Sequence, residues 1–169
     1  MEHKIIDTKE VVIRFTGDSG DGMQLTGTLF ADASALYGNE ISTFPDYPAE
    51  IRAPQGTVAG VSGFQVHIGQ TEVKTPGDFC DVLVAMNPAA LKANAKWAKP
   101  GASIILDEDA FDEKGLEKAG FKTNDPIEEM NLKDYHIIWA PITTLTKESL
   151  KDSGLDNKSI VRSKNMFTL

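Results

Sequence analysis

The apolar residues of this chain fall into short continuous runs rather than into one long alternating pattern. Four such runs are VVIRF (11–15), VLVAM (82–86), SIIL (103–106) and HIIW (136–139). Continuous apolar runs of this length are typical of strands that are buried on both faces of a parallel sheet. Segments with helical spacing separate the runs, and this order predicts a Rossmann-like, doubly wound α/β domain with a mostly parallel sheet.

Two helices are predicted between these strands. Apolar and small residues recur at helical spacing from Met23 to Tyr37, and Gly38-Asn39 provides a stop signal. The segment NPAALKANAKWAKPG (87–101) predicts a second helix, with Pro88 near its start and Pro100-Gly101 at its end.

Two further segments complete the prediction. The stretch TTLTKESLKDSG (143–154) predicts a third helix, capped by Thr146 and terminated by Gly154. From Val58 to Ile68 apolar residues alternate with small and polar ones, which predicts a half-covered strand. We expect this strand to lie at an edge of the sheet or in an antiparallel hairpin that continues through Glu72-Val73.

Composition and charge limit the classes of protein to consider. The chain has 169 residues, 41% of them hydrophobic, which suits one soluble domain. A net charge of -8 argues against nucleic-acid binding, because phosphate contacts need clustered Lys and Arg. Ten acids and four lysines lie between Asp107 and Asp134, and we interpret this stretch as a solvated face.

The cysteine count and the terminal segments bear on the compartment. Cys80 is the single cysteine, so this chain alone forms no internal disulfide and no cysteine-held metal or iron–sulfur cluster. A cytoplasmic setting is the default expectation. The N-terminus MEHKIIDTKE lacks the apolar core of a signal peptide. Residues 53–71 are uncharged, but four glycines and three glutamines there exclude a membrane helix.

The glycine-rich stretch FTGDSGDGMQLTG (15–27) is the first candidate for ligand chemistry. Gly20 and Gly22 begin a dinucleotide fingerprint, but Leu25 stands where the third glycine is required. A phosphate-binding P-loop needs Lys and Ser or Thr where Met23-Gln24 stand. Asp18 and Asp21 would also repel a phosphate anion. Neither nucleotide motif is complete.

The same stretch contains Gly20-Asp21-Gly22, the triplet that opens a thiamine diphosphate motif. The asparagine pair that completes that motif is missing, because no asparagine lies between Asn39 and Asn87. We therefore predict a structural turn in which Ser19 or Asp21 caps the following helix. On this interpretation Gly27 lets that helix approach the sheet or a neighbouring chain closely, and the loop shapes a contact with protein.

Four segments resemble one family in order and over nearly the whole chain: GDSGDGMQLTG (17–27), TFPDYPAEIRAPQGTVAGVSGFQVHIG (43–69), TPGDFCDVLVAMNPAAL (75–91) and RSKNMFTL (162–169). They resemble the γ domain of 2-oxoacid:ferredoxin (acceptor) oxidoreductases. More narrowly, they resemble the form that is fused to the N-terminus of the α subunit in 2-oxoglutarate-type enzymes. The resemblance implies that residues 1–169 are one γ domain and the N-terminal part of a longer α subunit. An ordinary C-terminal helix is the alternative explanation of RSKNMFTL.

The resemblance implies a share in an enzyme rather than an independent activity. Enzymes of this family decarboxylate a 2-oxoacid with thiamine diphosphate and Mg²⁺, pass electrons through iron–sulfur clusters to ferredoxin, and release an acyl-CoA. Their diphosphate and cluster ligands lie in the α and β parts. We therefore expect the isolated domain to be inactive, to hold no catalytic residue, metal or cofactor alone, and to assemble with the catalytic α region and the β subunit.

Five residues are candidates for the interface or for proximity to CoA: Gly20, Asp21, Gly22, Arg52 and Asn87. The planar guanidinium of Arg52 suits a phosphate, and Gln55 and Gly56 follow it, but a solvated arginine paired with Glu50 is the alternative. Asn87 follows a buried strand at the edge where α/β sheets bind ligands, and it equally suits a plain helix start. Two rival hypotheses are a free-standing Rossmann-type nucleotide-binding protein and a scaffold module unrelated to redox chemistry.

Overall fold

The computed structural model describes residues 8–50 and 52–169. Within these residues six strands form one sheet: β1 (Glu10–Asp18), β2 (Glu40–Asp46), β3 (Val61–Gly69), β4 (Cys80–Ala85), β5 (Ala98–Asp107) and β6 (His136–Ala140). The same residues form seven α-helices: α1 (Met23–Leu36), α2 (Pro88–Asn94), α3 (Glu113–Lys118), α4 (Pro126–Glu129), α5 (Ile142–Leu150), α6 (Asn157–Arg162) and α7 (Lys164–Phe167).

The strands lie in the order β2-β3-β1-β4-β5-β6. Strand β3 runs antiparallel to both β1 and β2, whereas β1, β4, β5 and β6 run parallel to one another. The predicted mostly parallel sheet with an antiparallel strand is therefore confirmed, but that strand, β3, lies between β2 and β1 rather than at the edge of the sheet. The four apolar runs of the sequence all fall within or at the end of strands.

Helices cover both faces of the sheet, as a doubly wound fold requires. The core on the α1 side contains Phe15, Met23, Ala31, Phe64 and Val66. The core on the α2 side contains Leu83, Ala85, Ala90, Leu91 and Ile104. Buried strands with apolar side chains on both faces explain why the sequence runs are continuous rather than alternating.

Gly27 brings α1 very close to β3. A Cβ atom on this residue would lie 2.1 Å from Cδ1 of Phe64 and 2.4 Å from its Cγ. Only a residue without a side chain fits this contact, so the predicted close approach of the helix to the sheet is confirmed.

The second predicted helix was wrong at its C-terminal end. Helix α2 ends at Asn94, one 3₁₀ turn covers Ala95–Trp97, and β5 already begins at Ala98. The buried Asn94 side chain accepts a hydrogen bond from Nε of Arg14 at 2.8 Å, which ties the end of the helix to β1. Ala98 pairs with Cys80 of β4, and this long-range pairing overrides the helical preference of the alanines and lysines.

The predicted limits of the third helix were also wrong. Helix α5 begins at Ile142 and ends at Leu150, four residues before Gly154. Thr146 lies inside the helix, where its buried hydroxyl donates to the carbonyl of Ile142 at 2.7 Å. None of the helices in residues 8–50 and 52–169 combines the length and the apolar character that a membrane crossing requires.

Two strand predictions need correction as well. Val58 lies in a single 3₁₀ turn, β3 begins only at Val61, and Glu72-Val73 lies outside any strand, so the predicted hairpin continuation was wrong. Strand β6 is an edge strand rather than one buried on both faces, and Trp139 is 42% exposed. The apolar ring of Trp139 packs edge-to-face against the ring of Phe111 instead of being buried in the core.

The topology places the carboxyl ends of β1 and β4 side by side. After β1 the chain turns onto one face through α1, and after β4 it turns onto the other face through α2. At this point the Met86 N–H donates to the carbonyl of Thr16 at 3.0 Å. Ligands of open α/β sheets bind in the crevice at such a switch point.

Candidate cleft at the switch point

The loop that follows β1 is a tight, internally hydrogen-bonded turn. The Asp18 N–H donates to Oδ2 of Asp21 at 3.0 Å, and the Asp21 N–H donates to the Asp18 carbonyl at 2.9 Å. Helix α1 begins after Gly22, which adopts φ +75° and offers no side-chain cap. The predicted capping by Ser19 or Asp21 was therefore wrong, because the Asp21 carboxylate turns back toward β1.

The C-terminal segment RSKNMFTL (162–169) packs directly on this loop. Nζ of Lys164 lies 3.1 Å from Oδ1 of Asp21, and only 15% and 14% of these two side chains are exposed. The Thr26 hydroxyl donates to the Asn165 carbonyl at 3.1 Å. A Cβ on Gly22 would lie 2.6 Å from Nδ2 of Asn165. The glycine loop is thus shaped to receive another part of the same chain.

This packing bears on the Gly20-Asp21-Gly22 triplet. Both carboxylate oxygens of Asp21 are engaged, Oδ1 by Lys164 and Oδ2 by the Asp18 N–H. The charge of this carboxylate is already neutralised by a lysine, which weakens it as a ligand for Mg²⁺. Together with the missing asparagine pair, these contacts do not fit a thiamine diphosphate site.

Two neighbouring cavities lie around the turn. The larger, about 740 Å³, lies between the turn and α6. The smaller, about 310 Å³, lies between the turn, Asn87 and α3. Both share the side chains of Asp18, Asp21, Gln55 and Lys164. We call the two cavities together the switch-point cleft.

The switch-point cleft is cationic although the chain is acidic. It is lined by five cations, Lys114, Lys118, Lys158, Arg162 and Lys164, and by three carboxylates, Asp18, Asp21 and Asp112. Among the described residues only Lys164 of these five forms an ion pair. Cations gathered in a cleft of a chain with net charge -8 attract an anionic ligand.

Asp18 forms part of the wall between the two cavities. Its Oδ2 accepts a hydrogen bond from the Gly56 N–H at 3.0 Å, which fixes the segment after Arg52 against the turn. Burial and the neighbouring Asp21 carboxylate raise the pKa of Asp18, although the Gly56 N–H and the Asn87 side chain partly offset this. The Asp18 carboxyl group therefore ionises less readily than usual, and it offsets less of the positive charge of the cleft.

The structure brings three of the five predicted site residues into the cleft. Gly20 and Asp21 line the larger cavity, and Asn87 lines the smaller one. Asn87 also caps α2, where its Oδ1 accepts from the Ala90 N–H at 2.8 Å. Gly22 lies beneath Asn165 instead, and the exposed Arg52 is not among the described lining residues of either cavity. A contact of these five residues with a ligand stays a prediction.

Sequence reasoning missed the four unpaired cations of the cleft. Lys114 and Lys118 are four residues apart on or beside α3, and Lys158 and Arg162 are four residues apart on α6. This spacing places both members of a pair on one helix face and was the available signal. The acidic residues around Lys114 and Lys118 hid the first pair.

Two further titratable groups, outside the cleft, have pKa values that burial raises. Asp107, at the end of β5, accepts hydrogen bonds from the N–H and the hydroxyl of Thr143, and burial raises its pKa. Burial likewise raises the pKa of the Cys80 thiol to about 11. Cys80 is therefore a small core residue at the start of β4.

Comparison with known proteins places the chain in a family. Residues 12–169 match the family described as pyruvate ferredoxin/flavodoxin oxidoreductase. The chain is 51% identical over 161 residues to the 2-oxoglutarate oxidoreductase subunit KorA of Mycobacterium tuberculosis, a match that covers 95% of this chain. It covers only 24% of KorA, so the chain spans about a quarter of the length of that curated relative.

Solved structures agree with this result. The 2-oxoglutarate:ferredoxin oxidoreductase of Magnetococcus marinus, solved with 2-oxoglutarate, coenzyme A and succinyl-CoA bound, aligns with a TM-score of 0.67 at 26% identity, over 95% of this chain and 23% of that one. The γ subunit of a keto/oxoacid ferredoxin oxidoreductase from Geobacter sulfurreducens shares the fold, with a TM-score of 0.62 at 21% identity, over 92% of this chain and 70% of that one. The chain belongs to the pyruvate ferredoxin/flavodoxin oxidoreductase family.

Proposed function

We propose that this chain is the γ domain of a 2-oxoacid:ferredoxin oxidoreductase, and that its enzyme acts on 2-oxoglutarate. The reaction is oxidative decarboxylation of the 2-oxoacid to an acyl-CoA, with reduction of ferredoxin. The 51% identity to KorA supports the choice of 2-oxoglutarate. The chain spans about a quarter of KorA, and in line with the family resemblance of its sequence motifs we further propose that residues 1–169 act at the N-terminus of a longer α subunit.

Within that enzyme the γ domain assembles with the catalytic α region and the β subunit. Thiamine diphosphate, Mg²⁺ and the iron–sulfur cluster belong to those partners in this proposal. The engaged carboxylate of Asp21 and the buried thiol of Cys80 support this division of labour. A buried free thiol also suits the reducing cytoplasm in which we propose that the enzyme works.

The observation that carries the proposal for this domain is the cationic switch-point cleft in an acidic chain. CoA carries a diphosphate and a 3′-phosphate, and the larger cavity alone has the volume of a small-molecule site. The related enzyme of Magnetococcus marinus was solved with coenzyme A bound. We propose that the cleft faces CoA in the assembled enzyme and helps to enclose it.

Two experiments on the assembled enzyme test these proposals separately. Deletion of residues 1–169 should abolish CoA-dependent reduction of ferredoxin by 2-oxoglutarate. It should also lower the amount of the β part that co-purifies with the α part. Unchanged activity after the deletion would refute the role as γ domain. Replacing Lys114, Lys118, Lys158 and Arg162 by Gln together should raise KM for CoA and leave KM for 2-oxoglutarate unchanged; an unaltered KM for CoA would refute the role of the cleft.

The position of the cleft favours one second candidate, a free-standing nucleotide-binding protein of Rossmann type. Dinucleotides bind at the same switch point in such proteins. This alternative predicts micromolar binding of NAD, FAD or ATP to the chain on its own. A flat calorimetric trace with all three would dismiss it.

A further inference from the structure

A third cavity, of about 450 Å³, lies apart from the switch-point cleft, on the α2 side of the sheet. Its floor comes from three neighbouring strands, because Gln65 of β3 pairs with Arg14 of β1 and with Phe44 of β2. We call this cavity the aromatic pocket. The residues that shape it are Arg14, Phe44, Asp46, Gln65, Asp78 and Trp97.

A buried polar network holds the floor of the aromatic pocket rigid. Arg14 is only 5% exposed. Its Nε donates to Oδ1 of Asn94 at 2.8 Å, its Nη1 donates to Oε1 of Gln65 at 3.2 Å, and its Nη2 forms an ion pair with Asp46. Nε2 of Gln65 in turn donates to two backbone carbonyls of the loop before β4. The charge of Arg14 is therefore already neutralised within the chain.

The rim of the aromatic pocket exposes large rings to solvent. Phe44 and Phe79 are each 49% exposed, and Trp97 is 39% exposed. The rings of Phe79 and Trp97 also pack on each other, with their centroids 6.4 Å apart. Aromatic residues that surround a pocket are typical of the centre of a protein–protein interface. This surface therefore has the character of a docking site for protein.

The charges at the aromatic pocket favour a cation. One cation, Arg14, and two carboxylates, Asp46 and Asp78, line it, which leaves an excess of one negative charge. Asp78 is exposed and forms no ion pair with any residue in 8–50 and 52–169. Nζ of Lys96 lies 5.1 Å from the centroid of the Trp97 ring, so this ring already attracts one cation.

Arginine is the cationic side chain that suits this combination of groups best. Its planar guanidinium stacks on aromatic rings and forms forked hydrogen bonds with carboxylates. It is also less strongly hydrated than the ammonium group of lysine. Arginine is accordingly enriched in protein interfaces, whereas lysine is depleted. The exposed ring of Phe44 and the carboxylate of Asp78 offer both kinds of contact.

The position of the aromatic pocket favours a separate chain as the partner. The C-terminal segment 162–169 packs on the loop after β1, at the carboxyl edge of the parallel strands. Phe79 and Trp97 directly precede β4 and β5, so the rim lies toward the opposite edge of the sheet. An α region that continues from Leu169 would leave the domain at the far edge. The rim then remains open to another subunit.

We infer that the aromatic pocket is a docking site for the β subunit, which inserts one arginine side chain against Phe44 and Trp97 and beside Asp78. This inference rests on the proposed function as a γ domain that assembles with a β subunit. It assigns a particular surface, and a particular kind of side chain, to that contact.

Photo-cross-linking of the assembled enzyme identifies the partner. Benzoylphenylalanine in place of Phe44 should cross-link this domain to the β subunit, through a peptide that contains an arginine. The same group in place of Tyr37, which is 89% exposed on α1, is the matched control and should not capture that peptide. The inference fails if Phe44 captures the α region, a second copy of this domain, a β peptide without arginine, or nothing.

Exchange of a fluorescently labelled β subunit into the assembled enzyme measures the strength of the contact. Phe44→Ala and Asp78→Asn should each raise the dissociation rate of the β subunit at least about tenfold, as expected for residues at the centre of an interface. The control variants Tyr37→Ala and Asp152→Asn change exposed positions that do not line the aromatic pocket, and they should alter the rate less than about twofold. Circular dichroism melting confirms that each variant is folded.

A double-variant cycle tests the pairing of Asp78 with the arginine that the cross-link identifies. Replacing that arginine by Gln together with Asp78→Asn should raise the dissociation rate by less than the product of the two single effects, by a factor of at least about three. Multiplicative effects would show that the two side chains do not interact and would overturn the pairing.

The remaining outcomes separate this inference from the proposed function. An unchanged dissociation rate in Phe44→Ala or Asp78→Asn, or an equal rise in the control variants, would overturn the docking site. If deletion of residues 1–169 still abolishes activity in that case, the role as γ domain stands and only the docking site fails. If the deletion leaves activity unchanged, the proposed function itself fails.

Discussion

Replacing Gly27 by Ala tests whether the contact between α1 and the sheet is as close as the structure has it. In an exposed helix interior this substitution would stabilise by about 1 kcal/mol, because Gly is a poor helix former. Here the new Cβ would lie 2.1, 2.4 and 2.7 Å from Cδ1, Cγ and Cβ of Phe64. Carbon atoms ordinarily pack about 3.5–4.0 Å apart, so either the helix or the buried Phe64 ring must move by more than about 1 Å.

Overpacking of a dense core costs about 1–3 kcal/mol, and this contact involves the rigid base of the ring rather than a flexible tip. After the helix-propensity gain is subtracted, we expect Gly27→Ala to lower the free energy of unfolding by up to about 2 kcal/mol. For a chain of this size that corresponds to a decrease in Tm of up to about 8 °C. Urea unfolding and thermal melting of the purified chain measure both quantities.

Two companion variants make the result interpretable. Thr28→Ala changes the neighbouring, exposed position of α1 and should alter stability by no more than about 0.5 kcal/mol. Phe64→Leu removes part of the ring, so Gly27→Ala combined with Phe64→Leu should be less destabilising than the two effects added, by at least about 1 kcal/mol. A Gly27→Ala chain that is more stable than the original would refute the close approach.

Three further predictions concern buried groups. Lys164→Met leaves the Asp21 carboxylate unpaired and largely buried and should destabilise the chain by about 3 kcal/mol, measured by urea unfolding, whereas Lys164→Met with Asp21→Asn should lose less. Burial raises the pKa of Asp107 above its ordinary value of 3.8. The stability that the protonated Asp107 side chain contributes is therefore complete below pH 3.8 and is lost as the pH rises through the pKa of the folded state. Over that pH range Tm should fall less steeply with rising pH in Asp107→Asn than in the original chain. Cys80, with a pKa of about 11, should stay unreactive toward a thiol reagent at pH 8 until urea unfolds the chain, and rapid native labelling would contradict its burial.

The fold was predictable where local pattern and tertiary packing agree. The continuous runs around Phe15, Val84 and Ile105 predicted central strands because the fold buries both of their faces. The same pattern misled at His136–Ala140, since an edge strand also tolerates apolar residues when one of them, here Trp139, packs on a neighbouring aromatic ring. Helix ends were harder to predict, because distant partners decide them. Asn94 ends α2 by bonding Arg14, which lies eighty residues earlier in the chain.

The candidate site was predictable only in part. The sequence of the glycine loop contains only incomplete nucleotide-binding motifs, which correctly indicated a structural turn. In the structure this turn packs against Lys164 and Asn165. The cations of the cleft come from positions more than forty residues apart, such as Lys118 and Arg162, and only Lys114 and Lys118 lie among acids in the sequence. Only the topology, which carries α3 and α6 to the carboxyl edge of β1 and β4, reveals that they surround one cleft.

A structure of the assembled enzyme with CoA bound would show whether the switch-point cleft encloses this ligand. We expect density for CoA across the cleft, with a phosphate within hydrogen-bond distance of at least one of its four unpaired cations, Lys114, Lys118, Lys158 and Arg162. CoA bound elsewhere in the assembly, with this cleft open to solvent, would contradict it.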